Sequence, residues 1–255
     1  MKSKLVSTLL ILSVIITNHT VIAQNQDSLI IQKADELMNL LTTKINKGDS
    51  DVAWFKDCHS DIFSVLKNLE LPPKHKLNID LPNTEGLGDV SHIWVADDNG
   101  KRDDNYLKYV KLKSITEENC WEWFLIYYMK NMLPGFWHGG YKINDLLYSE
   151  KQWDITLDNL KLSVIPDSIY ENLEEIELGK ISETEYNQIK KTRITPARVI
   201  LNDARNKAEV FFYDWNDWKG LIYNQYDLKI NDDNTVEVSN ITRETIVEYD
   251  CGILY

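Results

Sequence analysis

Residues 207–230 read KAEVFFYDWNDWKGLIYNQYDLKI, and the fold turns on how this stretch is read. Val210 to Trp215 and Leu221 to Ile230 are rich in aromatic and β-branched residues, which suit a pleated, half-buried surface. Between them Asn216, Asp217 and Gly220 supply turn chemistry: Asp and Asn tolerate turn geometry, and Gly accepts positive φ. The stretch predicts two antiparallel strands. RVIL precedes it, and TVEVSNI and ETIVEY follow, with NDARNK and NDDN between the runs. This is the pattern of an antiparallel meander.

Upstream, helical signals dominate. Asp27 or Ser28 can cap a helix to about Lys47, with Ile30, Ala34, Leu37, Met38, Leu41 and Ile45 as its buried stripe and Gly48 as its stop. Ser50 can cap a second helix that carries Trp54, Cys58, Ile62 and Leu66 and ends near Glu70, before Leu71-Pro72-Pro73. The two are expected to form a hairpin. Residues 71–90 read as a long loop. His92 to Val95 and Tyr106 to Lys113 read as strands joined through the turn signal Asn99-Gly100. Ser114-x-x-Glu117 is a capping box for a helix to about Met132, apolar on all sides and therefore buried. Trp153, Ile155 and Leu157 alternate, as do Leu160, Leu162 and Val164, which predicts a strand or hairpin. Asp167 to Leu178 reads as a helix. Ser182-x-x-Glu185 is a second capping box, for a helix to about Thr192.

The expected fold is α+β: an N-terminal helical hairpin and further helices packed on a mainly antiparallel sheet that ends in a C-terminal β-meander. No internal repeat, low-complexity tract or linker interrupts the chain, so residues 24–255 are expected to form a single domain.

The first residues read MKSKLVSTLLILSVIITNHTVIA. Lys2 and Lys4 form a positive n-region, Leu5 to Ile16 an apolar run, and Val21-Ile22-Ala23 a cleavage site. Residues 1–23 are therefore read as a secretory signal peptide, which places the chain in the periplasm or outside the cell. The apolar run is short for a bilayer span, so no stable membrane insertion is expected after cleavage. The segment carries two lysines and no acid, so its removal takes the net charge from −12 to −14. That sign repels phosphate backbones and anionic lipid, which disfavours nucleic-acid and peripheral membrane binding. Lys190-Lys191-x-Arg193 reads as the charged end of a helix.

Three cysteines remain, Cys58, Cys120 and Cys251. Cys58 falls on an apolar helical stripe, which leaves Cys120 and Cys251 as the expected disulfide of an exported chain. No metal-ligand spacing is present. Asp97-x-Asn99-Gly100 has part of a calcium-loop pattern, but Val95 stands where an oxygen ligand is needed. A weak calcium site at Asp97, Asp98, Asp103 and Asp104 is the one cofactor reading, and otherwise none is expected.

Catalytic motifs are missing: there is no G-x-S-x-G, H-E-x-x-H or Walker-type loop. His138, in PGFWHGGY, is the candidate catalytic residue, since a loop His can titrate near neutral pH beside glycines that admit a ligand. Eight tryptophans are a heavy load. Trp121 and Trp123 fall in helical stripes and are assigned to the core. Trp137, Trp215 and Trp218 fall in turns and are expected at the surface, with Asp214 and Asp217 beside the last two. These five residues form the candidate binding surface. The leading functional reading is an exported, non-enzymatic protein that recognises a macromolecular partner, in the manner of an immunity or inhibitor protein. The alternatives are glycan binding through the turn tryptophans and hydrolysis through His138.

Overall fold

The computed structural model describes residues 28–43, 59–80, 89–136, 140–142, 145–170, 180–216 and 219–249. Ile30, Ala34, Leu37 and Leu41 recur at helical spacing and are buried on helix α1 (28–43). Helix α2 (His59–Val65) follows. Residues 44–58 lie outside the described residues, and so does the connection expected between the two helices. The chain then forms β1 (Leu69–Glu70), β2 (Lys76–Asp80), β3 (Asp89–Val90), β4 (His92–Ala96) and β5 (Arg102–Asp103), a 3-10 turn over Tyr106–Tyr109, and β6 (Lys111–Leu112).

Two expectations are corrected here. Residues 71–90 are not simply a loop: Lys76–Asp80 pairs antiparallel with His92–Ala96, because Leu77 and Ile79 alternate into the core. Tyr106 to Lys113 is not one strand. Tyr106–Tyr109 winds into a 3-10 turn, and only Lys111–Leu112 is extended, pairing with β1 and bridging from Lys111 to Thr235. The Asn99-Gly100 turn does join β4 to a strand, β5, with Gly100 at φ 73°.

Helix α3 (Glu117–Met132) organises the main core. Its cap is Thr116, whose side chain accepts from Asn119 N at 3.2 Å, and not Ser114, which instead receives the Asn119 amide. Glu117 and Glu118 in the first turn and Lys130 in the last complement the helix dipole. Partners cover it on several sides, as an all-round apolar helix requires. Trp121 Nε1 donates to Ile30 O of α1 at 2.9 Å, and Phe124 packs on Phe212 and Tyr226 at 4.9 and 5.3 Å between ring centres. Its buried carboxylate, Glu122, accepts from the backbone and side-chain N–H groups of Asn68 at 2.8 and 2.9 Å, and Lys33 Nζ of α1 lies 3.8 Å away. Burial raises the Glu122 pKa against these partners.

Strands β7 (Pro134–Phe136), β8 (Gly140–Lys142) and β9 (Asp145–Leu147) lead to helix α4 (Glu150–Lys161). A strand or hairpin was expected around Trp153–Val164. The segment is instead helical as far as Lys161, because Trp153, Leu157 and Leu160 share one face at i, i+4 and i+7 while Ile155 and Leu162 point to solvent. Ser149 caps it. Next come β10 (Val164–Ile165), α5 (Asp167–Tyr170), β11 (Ile181–Ser182) and α6 (Glu183–Ile189). The capping box of Ser182 and Glu185 forms with both of its hydrogen bonds. The helix expected over Asp167–Leu178 is seen to Tyr170, and 171–179 lie outside the described residues.

The meander consists of β12 (Arg198–Leu201), β13 (Lys207–Asn216), β14 (Gly220–Ile230) and β15 (Val236–Val247), paired antiparallel in that order, with β9 added along β13. TVEVSNI and ETIVEY are one strand rather than two, with register shifts opposite Ser239 and Ile246. Gly220 sits at φ 84°, and a Cβ there would stand 2.0 Å from Val247 O, so no other residue fits. The fold is thus α+β with a C-terminal meander. The inner face of the meander carries Ala208, Val210, Phe212, Tyr226, Leu228 and Ile230 onto α3. One end of the outer face carries Trp215 and Leu221 onto Trp153, Leu157 and Tyr186 of α4 and α6, forming a second core.

Candidate functional site

Strand alternation puts Glu209, Phe211, Tyr213 and Trp215 of β13 on the outer face. Beyond the second core this face is only partly covered: Tyr213 packs against the edge of that core, Phe211 is buried, and Glu209 is exposed. Tyr213 and Tyr223 are directly paired across β13 and β14, half-buried, with ring centres 5.0 Å apart. Phe211 lies 6.4 Å from Tyr223, and the Arg198 guanidinium stacks over it at 4.8 Å. Next along the strands, Glu209 stands directly opposite Asp227. Asp227 accepts from the side-chain amides of Gln225 at 3.0 Å and Asn240 at 3.1 Å. Among the described residues no cation lies within 4.0 Å of either carboxylate, although Lys207 and Lys229 form the following cross-strand pair. An open cavity of about 300 Å³ lies over this row, lined by Ile200, Asn202, Lys207, Glu209, Asp227 and Ser239 among others. The face therefore offers flat aromatic surface at one end and carboxylates at the other.

The inner face holds a second polar group. Asp214 is buried, and the Tyr128 hydroxyl of α3 donates to its Oδ2 at 2.5 Å. Asn224 sits beside it but turns its N–H to Ile222 O at 3.2 Å, and Oδ1 of both residues lacks a protein donor among the described residues. Burial raises the Asp214 pKa, opposed by Tyr128, Asn224 and, at longer range, Arg243 and Lys219. Burial also pushes Tyr128 well above its ordinary range, and the Asp214 charge adds to that. Arg243 donates to Tyr226 OH at 2.8 Å and marks where this cluster meets solvent.

Of the five residues of the expected binding surface, Asp214 and Trp215 can be placed. Neither lies at a surface turn, because β13 continues to Asn216. The expected exposure of Trp215 is corrected: it is 3% exposed, packed 5.9 Å from Trp153 and 5.2 Å from Tyr249 between ring centres. Asp214 points the other way, onto α3, so the two do not form one surface. Trp137, His138, Asp217 and Trp218 lie outside the described residues. Cys120 is a fully buried free thiol whose pKa burial pushes up to about 12. Its expected partner Cys251 lies outside the described residues.

The four carboxylates of the calcium reading are each engaged separately. Asp97 Oδ1 accepts from the backbone N–H of Asn99 and of Lys101, both at 2.9 Å. Asp98 pairs with Lys74 at 2.6 Å and Asp104 with Arg102 at 2.6 Å. Asp103 binds Lys108 at 2.5 Å, Asn105 N and Tyr109 OH, which hold its pKa down to about 2. No group of metal-ligating side chains converges among the described residues. No helix among them is long and apolar enough to cross a membrane.

The open face went unnoticed in the sequence because EVFFYDW is apolar on both sides. Reading every second residue, Glu209-Phe211-Tyr213, would have found it. No protein-family model matches the chain, and no similar curated protein or solved structure was found.

Proposed function

We propose that the protein is an exported, non-enzymatic binding protein that recognises a protein partner through the open outer face of its C-terminal sheet. The observation that carries this reading is the juxtaposition on that face of the half-buried Tyr213–Tyr223 pair with the facing carboxylates Glu209 and Asp227. Tyrosines on a rigid sheet supply contact area at little entropic cost, and they are enriched where one protein meets another. Two carboxylates that form no salt bridge among the described residues, beside a cavity, suit a basic side chain of the partner. The net charge, −14 once residues 1–23 are removed, adds long-range steering toward a basic protein. An immunity or inhibitor protein guarding the cell envelope is the concrete form of this reading, and export through residues 1–23 belongs to it. Burial of Trp215 takes away one of the rings on which the glycan reading stood.

The test is affinity capture from an envelope extract of the source cell. It compares the native chain with Glu209→Lys and with Tyr223→Ser. A partner held by the native chain and lost by both variants supports the proposal. Capture that is identical in all three, or a fluorescence response to a glycan panel with no protein captured, overturns it.

A further inference from the structure

Strand β15 is twelve residues long and forms one edge of the meander. Among the described residues nothing pairs with its outer side. Ser239 to Ile246 are all exposed, on both faces, with Ile241 at 41% and Ile246 at 40%. Edge strands are usually blunted by shortness, by Pro, by charged side chains, above all Lys, or by β-bulges. The sequence VEVSNITRETIV has neither Pro nor Lys. The two register shifts, opposite Ser239 and Ile246, instead bracket a regular run from Asn240 to Thr245.

From this we propose that two copies of the chain pair edge to edge through β15, antiparallel and centred on Thr242, into one continuous sheet. This goes beyond the partner-binding reading and uses a different surface.

Symmetry narrows the register. A twofold axis that pairs two identical strands antiparallel stands perpendicular to the sheet, so each face stays on its own side and the axis passes through a single residue. Centring on Arg243 sets guanidinium against guanidinium, and centring on Glu244 sets carboxylate against carboxylate, both unfavourable. Centring on Ile241 brings the irregular Ser239 opposite Arg243 and keeps only 240–242 in the regular run. Centring on Thr242 keeps 240–244 regular. It sets Asn240 opposite Glu244 of the second copy, amide to carboxylate, and Ile241 opposite the aliphatic stem of Arg243, each twice. The outer faces of both copies then lie on one side of the joined sheet.

Few residue pairs meet, so the association is weak and concentration-dependent. Because each copy carries net negative charge, added salt tightens it.

Sedimentation equilibrium on the purified chain tests this with two substitutions at one exposed position. Ile241→Glu places a carboxylate opposite Arg243 of the second copy, and Ile241→Lys places an ammonium there. The first is expected to tighten self-association by about tenfold and the second to weaken it by a similar factor, since two symmetric pairs change at once. Circular dichroism confirms that both variants fold. The proposal is overturned if the native chain and Ile241→Glu both remain monomeric up to about 1 mM, a protein concentration at which even interactions of about 4 kcal/mol show. It is equally overturned if the two substitutions shift the association in the same direction.

Discussion

The Tyr128 hydroxyl donates a 2.5 Å hydrogen bond to Asp214, which ties the central helix to the meander inside the protein. Burial raises the Asp214 pKa above its ordinary value, and its Oδ1 has no protein donor among the described residues. A folded-state pKa above the unfolded one means that the native state binds the proton more tightly. The stability this brings is present at low pH and is lost as pH rises through the folded value. Asp214→Asn keeps an acceptor for Tyr128 and removes the titration. In urea unfolding it is expected to be at least as stable as the native protein at pH 8, with the difference closing toward pH 4. Tyr128→Phe strips the carboxyl of its donor and is expected to cost about 1–3 kcal/mol. A native-minus-Asn difference that is flat with pH would show that Asp214 titrates normally.

Trp215 and Trp153 pack ring to ring beneath the outer face, and the Trp153 indole N–H donates to Thr192 O at 3.1 Å. Truncating either to Ala removes a large buried ring and is expected to cost about 3–5 kcal/mol in urea unfolding. Tyr223→Ser, on the open part of the same face, is expected to cost much less. An unchanged midpoint for Trp215→Ala would mean that its ring faces water after all.

The contrast between these residues shows where the sequence was legible. Periodicity found the stripe on α1, the burial of α3 and the number of meander strands before Val236, because each is a local pattern repeated over many residues. It misjudged Trp153–Leu157, where period 2 and period 3.6 both fit and only the cap at Ser149 decides. It misjudged Trp215 because a turn residue and the last residues of a long strand look alike until the strand's partner is known. Asp214 was singled out for its neighbour in sequence, but its chemistry comes from Tyr128, 86 positions away. A meander whose two central strands, β13 and β14, are buried on one face and on part of the other hides its open patch among apolar letters.

Cys120 lies on α3 with no exposed surface, and its thiol is pushed up to about 12. The thiolate is the reactive form. Cys120 is therefore expected to resist Ellman's reagent at pH 8 in the folded protein and to react once the chain is unfolded in denaturant. Peptide mapping without reductant checks the redox state directly: an unlinked Cys120 peptide is expected, and one joined to the Cys251 peptide would restore the disulfide read from the sequence.

Gly220 couples the turn after Trp215 to the edge strand. Its φ of 84° belongs to the left-handed region, and a side chain would run into Val247 O at 2.0 Å and Tyr249 N at 2.7 Å. Both obstacles are backbone, so no rotamer change relieves them. Gly220→Ala has to move the end of β15, and with it Tyr249, which packs on Trp215. The backbone strain alone is about 1–3 kcal/mol, and the displaced contacts add to it. The expected result is a lower urea midpoint together with altered tryptophan emission from Trp215 in the still-folded protein. Hydrogen exchange should locate the loosening at residues 245–249 and spare the Tyr128–Asp214 end of α3. Loosening spread evenly through the sheet would mean instead that the turn serves folding as a whole and not the seating of β15.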